Sequence, residues 1–275
     1  MKNLALFLLT LILSCYGGAP PPIPLDPVRF LSINDVQLPD TLPNGLGGLA
    51  RVATVRQRLA DQGPILFVLA GNALGSDAKR MVDLLNRAHL DFATFGEHEL
   101  NLGPDALATL VAESQFTWIS SNCTRPDGTP FPKVVPWDTV RVSGHKVGLF
   151  GVTLQGAYPN GVRCTNPDSA AHRTIQMLGA DSADLIVAIT HQSTDADRNL
   201  LGREAKLDLI LGGHVQKATD SVVSNRHAVK ADENAQSAQF VTLWGGKDNW
   251  REAVGLVHIN GALPADTAVA AALRR

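Results

Sequence analysis

Gly96-Glu97-His98-Glu99-Leu100-Asn101 closes a short apolar run, Phe92–Phe95, with metal- and proton-handling side chains packed into one turn's length of chain. Four other apolar runs end in the same manner. Val28–Ile33 leads into Asn34-Asp35-Val36-Gln37, and Ile65–Leu69 into Ala70-Gly71-Asn72. Leu185–Thr190 leads into His191, and Leu207–Leu211 into Gly212-Gly213-His214-Val215-Gln216. Short apolar runs read as buried strands. In folds that alternate strands with helices, ligand sites gather at the carboxyl ends of the strands. Asp, Glu, His and Asn side chains converging there can surround metal ions.

Helical patterns fill the gaps between these runs. Gly48–Asp61 places Leu49, Val52, Ala53, Val55 and Leu59 on one face. Asp77–Ala88 turns Met81, Leu84 and Leu85 inward, and Pro104 suits the first turn of a helix over Asp105–Glu113. Further helices are expected over Asp168–Ala180, Ala196–Ala205 and Pro264–Leu273. Further strands are expected at Phe116–Ser120, Val134–Val142, Lys146–Val152, Ala228–Lys230, Gln239–Leu243 and Ala253–Ile259. The alternation indicates an α/β fold. No internal repeat or linker divides the body, so one domain is expected over residues 28–275.

The 275 residues carry a net charge of −2 with no long run of one sign, and 45% are hydrophobic. That supports a full core and gives no electrostatic footprint for nucleic acid as a partner. His89, His145, His172, His227 and His258 lie outside the clusters and read as ordinary surface or core residues. The four tryptophans read as packing residues.

The first fifteen residues have a basic start at Lys2 and an apolar run, Leu4–Leu13, too short to span a membrane. This suits a signal peptide. Ile12-Leu13-Ser14-Cys15 resembles a bacterial lipoprotein box, in which Cys15 would carry the lipid after cleavage; the alternative is a plain signal peptide with an incidental cysteine. On the first reading the protein is exported, periplasmic or membrane-anchored, touches the membrane only through the lipid on Cys15, and residues 16–27 form a tether. Cys123 and Cys164 remain. They could pair in an oxidising compartment, or be two separate small residues.

The order and spacing of several stretches resemble the calcineurin-like metallophosphoesterases, in particular the N-terminal domain of the bacterial 5′-nucleotidase branch. These stretches are Ile33-Asn34-Asp35-Val36, Gly47-Gly48-Leu49-Ala50-Arg51, Gly96–Gly103, Asp184–His191, Asp208–His214 and Val229–Ala235. The resemblance covers roughly Val28 to Ile259. It implies a four-layer α/β/β/α sandwich, a two-metal centre and hydrolysis of nucleotides or related phosphate esters. A separate C-terminal nucleoside-holding domain of that branch is not expected in this chain.

The departures from the family pattern are specific. Gln37 stands where the family has His after Asp-x, and Asn72 where it has the bridging Asp. Glu97 replaces the Asn ligand, Asn101 the Asp that supports the catalytic His, and Gln216 the second His of Gly-His-x-His. Asp35, His98, His191 and His214 match. The resemblance lines a first metal position with Asp35, Gln37, Asn72 and Gln216, one good ligand among amides. It lines a second with Asn72, Glu97, His191 and His214. Two His and one carboxylate suit a single divalent transition metal such as Mn, Zn or Fe. Two divalent ions 3.5 Å apart would repel by roughly 19 kcal/mol even at an effective dielectric near 20. A bridging carboxylate offsets much of that, and Asn72 is neutral, so one metal or none is expected rather than two.

His98 and Asn101 are the expected catalytic pair. Asn101 can orient an imidazole but cannot stabilise imidazolium; in the serine-protease triad the analogous change costs about 10⁴ in rate. Three readings therefore follow: a degenerate member that binds without hydrolysing, a weak single-metal hydrolase, or a hydrolase tuned to an unusual substrate. Asn72 and Asn101 also suit tight turns, and Glu97 suits a solvated loop.

Overall fold

A computed structural model describes residues 26–247 and 249–274. The leader with Cys15, and most of the tether, lie outside the described residues. The first half contains β1 (Val28–Ile33), α1 (Leu49–Ala60), β2 (Leu66–Ala70), α2 (Ala78–Arg87), β3 (Phe92–Thr94), α3 (Glu97–Asn101) and α4 (Pro104–Glu113). Then follow β4 (Thr117–Ile119), β5 (Cys123–Thr124), β6 (Val134–Val135), β7 (Trp137–Val142), β8 (His145–Thr153), β9 (Gly156–Ala157) and β10 (Arg163–Cys164). The remainder is α5 (Pro167–Ala180), β11 (Leu185–His191), α6 (Thr194–Arg203), β12 (Leu209–Gly213), β13 (Thr219–Val223), β14 (Arg226–Lys230), β15 (Ser237–Trp244), β16 (Arg251–His258) and α7 (Thr267–Leu273).

Two large mixed sheets form the centre. One has the order β16-β15-β1-β2-β3-β4-β6 and the other β13-β14-β12-β11-β8-β7. The central strands are apolar throughout because both of their faces are buried. In β2, Leu66, Val68 and Ala70 face the opposing sheet, while Phe67 and Leu69 face the helices. In β11, Leu185, Val187 and Ile189 meet the opposing sheet, and Ile186 and Ala188 meet the helical layer over the other side. Helices α1, α2, α4 and α7 cover the first sheet, and α5 and α6 cover the second. The result is the expected four-layer α/β/β/α sandwich.

Strands β1, β2 and β3 run parallel in one sheet, as do β8, β11, β12 and β14 in the other. Because β11 and β12 pack over β2 and β3, the carboxyl ends of five motif-bearing strands arrive at one edge. The fold thereby assembles the clusters that are far apart in sequence.

Four local expectations are corrected. Val134–Val142 is not one strand: β6 pairs with β4 in the first sheet and β7 with β8 in the second. Pro136 lies between them and supplies no N–H for a ladder, so the chain crosses between sheets there. Thr219–Val223, where no strand is expected, is a strand on the edge of the second sheet. Helix α6 begins at Thr194, earlier than expected, because Ser193 caps it by accepting from Ala196 N–H. Glu97–Asn101, expected as a strand-end loop, is a single helical turn.

Cys123 and Cys164 are bonded to each other, directly opposite in the small sheet formed by β5, β10 and β9. The bond closes a loop with a sequence separation of 41. No helix of the described residues is long and apolar enough to cross a membrane.

Candidate metal centre

Glu97, His191 and His214 come together from three strand ends, with one ligand atom of each lying within 4.8 Å of the others. Oε2 of Glu97 is 2.7 Å from Nε2 of His191, and Oε1 is 3.0 Å from Nδ1 of His214. His191 is fully buried, whereas Glu97 and His214 are partly open to solvent. Nδ1 of His191 is 2.7 Å from the Ala70 carbonyl. A carbonyl only accepts, so Nδ1 carries the proton and Nε2 is the atom offered to the centre.

The pair Glu97 Oε2 and His191 Nε2 is close without an aligned hydrogen bond, and both atoms are buried with no other partner. Two acceptor lone pairs facing each other at this distance need a cation between them or a second proton on His191. Without a metal, the proton is the answer. Burial works against a charged His191, but Glu97, Asp35 and the Ala70 carbonyl outweigh it and raise its pKa. Burial also opposes a charged Glu97, and its contacts with His191 and His214 hold it far below the usual carboxylate range. Two imidazole nitrogens and a carboxylate oxygen, one of them orphaned and deeply buried, fit a divalent transition metal.

The backbone around these ligands is unusual. Asp35, Asn72 and His214 have φ of 52°, 58° and 72°. Non-glycine residues enter this left-handed region only where the surroundings hold them there. Gly71 and Gly213 make the close approach of the strand ends feasible. A Cβ on Gly71, itself at φ +76°, would lie 2.5 Å from His191 Nδ1, and one on Gly213 would collide with the Ala70 carbonyl.

Two buried charged groups to which the sequence patterning assigns no role fix the ligand turns. Glu99 is fully buried and accepts from four backbone N–H groups: Asn72 and Gly96 on Oε2, Ala73 and Leu74 on Oε1, all at 2.7–2.8 Å. It occupies the third position of α3, and its reach back to Gly96 N–H is half of a capping box, a signal present in the sequence. Lys230, also buried, lies 2.6 Å from Asp197 and donates to the carbonyls of Gln192 and Gly213. These carbonyls adjoin His191 and His214, so one ammonium holds both turns. A lysine closing the buried stretch Ala228–Lys230 of β14 signals such a buried partner.

The remaining expected site residues are placed as follows. Asp35 is buried beside the triad, 4.0 Å from His191 Nε2, and Asn72 is hydrogen-bonded to it. His98 is half-buried and its backbone N–H donates to Asn72 Oδ1. Asn101, Gln37 and Gln216 are exposed. No hydrogen bond joins the His98 ring to Asn101, and the Gln37 and Gln216 side chains make none to Asp35 or Asn72. Tyr158, on the loop after β9, is near enough to feel the Glu97 charge; burial and that charge push its phenol up to about 12.

No family model matches the chain. Among curated proteins it is 25% identical over 185 residues to Protein 5NUC of Lutzomyia longipalpis, a match covering 61% of this chain and 32% of that protein. The chain spans about a third or less of the length of the first curated relatives it matches. The 5′-nucleotidase precursor from Thermus thermophilus superposes with a TM-score of 0.77 at 21% identity, over 90% of this chain and 58% of that one. The calcineurin-like phosphoesterase YfkN from Bacillus subtilis superposes with a TM-score of 0.76 at 18% identity, over 91% of this chain and 96% of that one.

Proposed function

We infer the function from a chain that has the calcineurin-like metallophosphoesterase fold and resembles the 5′-nucleotidase branch in sequence. We propose that it holds one divalent transition-metal ion, Mn, Zn or Fe, on Glu97, His191 and His214, and that a phosphate ester or nucleotide binds there and is hydrolysed slowly. The observation that carries this reading is the convergence of the Glu97 carboxylate on His191 Nε2 and His214 Nδ1 at 2.7 and 3.0 Å. Relatives named as a 5′-nucleotidase precursor and an apyrase motivate nucleotides as substrates.

When bound, such an ion supplies a Lewis acid for a phosphoryl oxygen. Glu97 contributes the negative charge that an amide at this position would lack. Ala70 holds the His191 ring in the tautomer that presents Nε2. His98, adjacent to Glu97 on α3, is the proton donor to the leaving oxygen. Its imidazolium has no carboxylate behind it, because Asn101 is exposed and makes no bond to it. General acid catalysis without that support accounts for slow turnover.

A second reading, binding without hydrolysis, is favoured by the same detachment of Asn101 from His98. Turnover of p-nitrophenyl phosphate and AMP with added Mn²⁺, compared with the His98→Ala variant, separates the two. Slow metal-dependent release of phosphate that the variant loses supports hydrolysis. A metal-loaded protein that releases none supports the binding reading. Export with a lipid on Cys15 belongs to this proposal too, supported by the Cys123–Cys164 bond, which suits an oxidising compartment.

A further inference from the structure

The resemblance places another ion at the first position, among Asp35, Gln37, Asn72 and Gln216. The side chains there do not fit one. The Asp35 carboxylate is already held on both oxygens: Oδ2 accepts from Asn34 Nδ2 and His214 N–H, each at 2.9 Å, and Oδ1 accepts from Asn72 Nδ2 at 3.1 Å. The orientation of the Asn72 amide is fixed by chemistry. Its Oδ1 accepts from the His98 backbone N–H at 3.0 Å, so its NH₂ must face Asp35. A donor therefore occupies the direction in which a bridging carboxylate would offer a lone pair. Gln37 and Gln216, the other two groups of that position, are exposed.

We propose that the Asn72 amide is a built-in replacement for the first metal ion. An ion at that position would tie the end of β1 to the end of β2. The amide makes the same tie, and extends it to α3 through His98. It presents the positive end of its dipole to a carboxylate that is 2% exposed. Asp35 then changes from a metal ligand to a positioning residue. Through Oδ2 it holds the backbone of His214, a ligand of the surviving triad, at φ 72°. The left-handed φ of 58° at Asn72 is one that asparagine tolerates better than most residues.

This inference concerns the same centre as the proposed function but is read as a difference between variants, so each can fail alone. The full chain, its Asn72→Asp variant and its Asn72→Ala variant are stripped of metal, loaded with Mn²⁺, freed of excess and assayed for metal by elemental analysis. Thermal unfolding is followed with and without Mn²⁺. Asn72→Asp is expected to carry one more Mn²⁺ per chain than the wild type, whatever number the wild type holds. Its metal-free form unfolds at a lower temperature than the wild type, because two carboxylates then face each other, and Mn²⁺ restores it. Asn72→Ala also unfolds earlier, gains no metal, and is stabilised by Mn²⁺ no more than the wild type is. An Asn72→Asp chain that folds and holds no more Mn²⁺ than the wild type would overturn the proposal. So would a metal-free Asn72→Ala chain with an unchanged unfolding temperature, since the amide would then tie nothing together. If Asn72→Asp does not fold without metal, the Asn72→Ala melting temperature alone decides.

Discussion

Oε2 of Glu97 and Nε2 of His191 lie 2.7 Å apart, brought together from the turn after β3 and the end of β11. Neither atom has an aligned hydrogen bond. The relationship couples the protonation of a buried histidine to the occupancy of the centre, and a pH dependence follows from it.

In the metal-free protein, His191 has a raised pKa and Glu97 a lowered one. The histidine's contribution to stability is present below its ordinary value and is lost as pH rises through the raised one. The carboxylate's contribution is present above its ordinary value and is lost as pH falls through the lowered one. Together these two groups contribute most between the ordinary carboxylate and histidine values. A metal must displace the His191 Nε2 proton. Calorimetric titration with Zn²⁺ in buffers of different ionisation enthalpy should show proton release, with affinity falling as pH is lowered. Binding without any proton exchange near neutral pH would contradict the assignment of that proton.

Glu99 accepts four backbone N–H bonds in the interior and has no cation beside it among its hydrogen-bond partners. Hydrogen bonds to a charged group contribute roughly 1.5–3 kcal/mol each, and a donor left facing donors costs more. Glu99→Gln places an NH₂ against backbone N–H groups. It should lower the unfolding free energy by at least about 3 kcal/mol in urea titration. Because Glu99 also fixes the turn carrying Asn72 and α3, metal affinity should fall with it.

The disulfide makes a separate prediction. Closing a loop with a sequence separation of 41 contributes about 4 kcal/mol in the chain-entropy model. The Cys123→Ser/Cys164→Ser double variant should lose about that much stability, a drop in Tm on the order of 8–16 °C. Treatment of the wild type with a thiol reductant should reproduce the loss.

Glu252, on β16, has its pKa raised from 4.5 to about 8 by burial and by the neighbouring Asp208. The sign is opposite to that of an ion-paired carboxylate. The fold favours the protonated form, so its contribution is present below the ordinary value and is lost as pH rises toward about 8. Glu252→Gln should therefore raise Tm relative to the wild type in mildly alkaline buffer and leave it nearly unchanged in acid. An equal shift in both buffers would contradict the assignment.

The parts of the fold that were legible in sequence are those governed by local pattern. Strands such as β2 and β11 read as unbroken apolar runs because helices cover one face and the opposing sheet the other. The start of α4 announced itself through Pro104 in the first turn. What escaped depended on tertiary geometry. The crossing at Pro136 looks like one strand because β-branched and aromatic residues flank the proline on both sides. β13, Thr219–Val223, carries too many polar residues to show an alternation, since it lies on a half-exposed edge. At the site, the ligand-capable residues and the grouping of Glu97, His191 and His214 were legible, but the exposure of the two glutamines was not. Gln37 and Gln216 sit where the resemblance implies ligands, yet are exposed. Glu99 and Lys230 look ordinary until the backbone groups they hold come into view.

Metal content of the purified full chain is the most direct test of the central claim. After loading with Mn²⁺ or Zn²⁺ and removal of excess, elemental analysis should give one ion per wild-type chain and none per His191→Ala chain, with the fold retained by circular dichroism. No ion on the wild type, two ions, or one that survives the loss of His191 would contradict a single-metal centre on Glu97, His191 and His214.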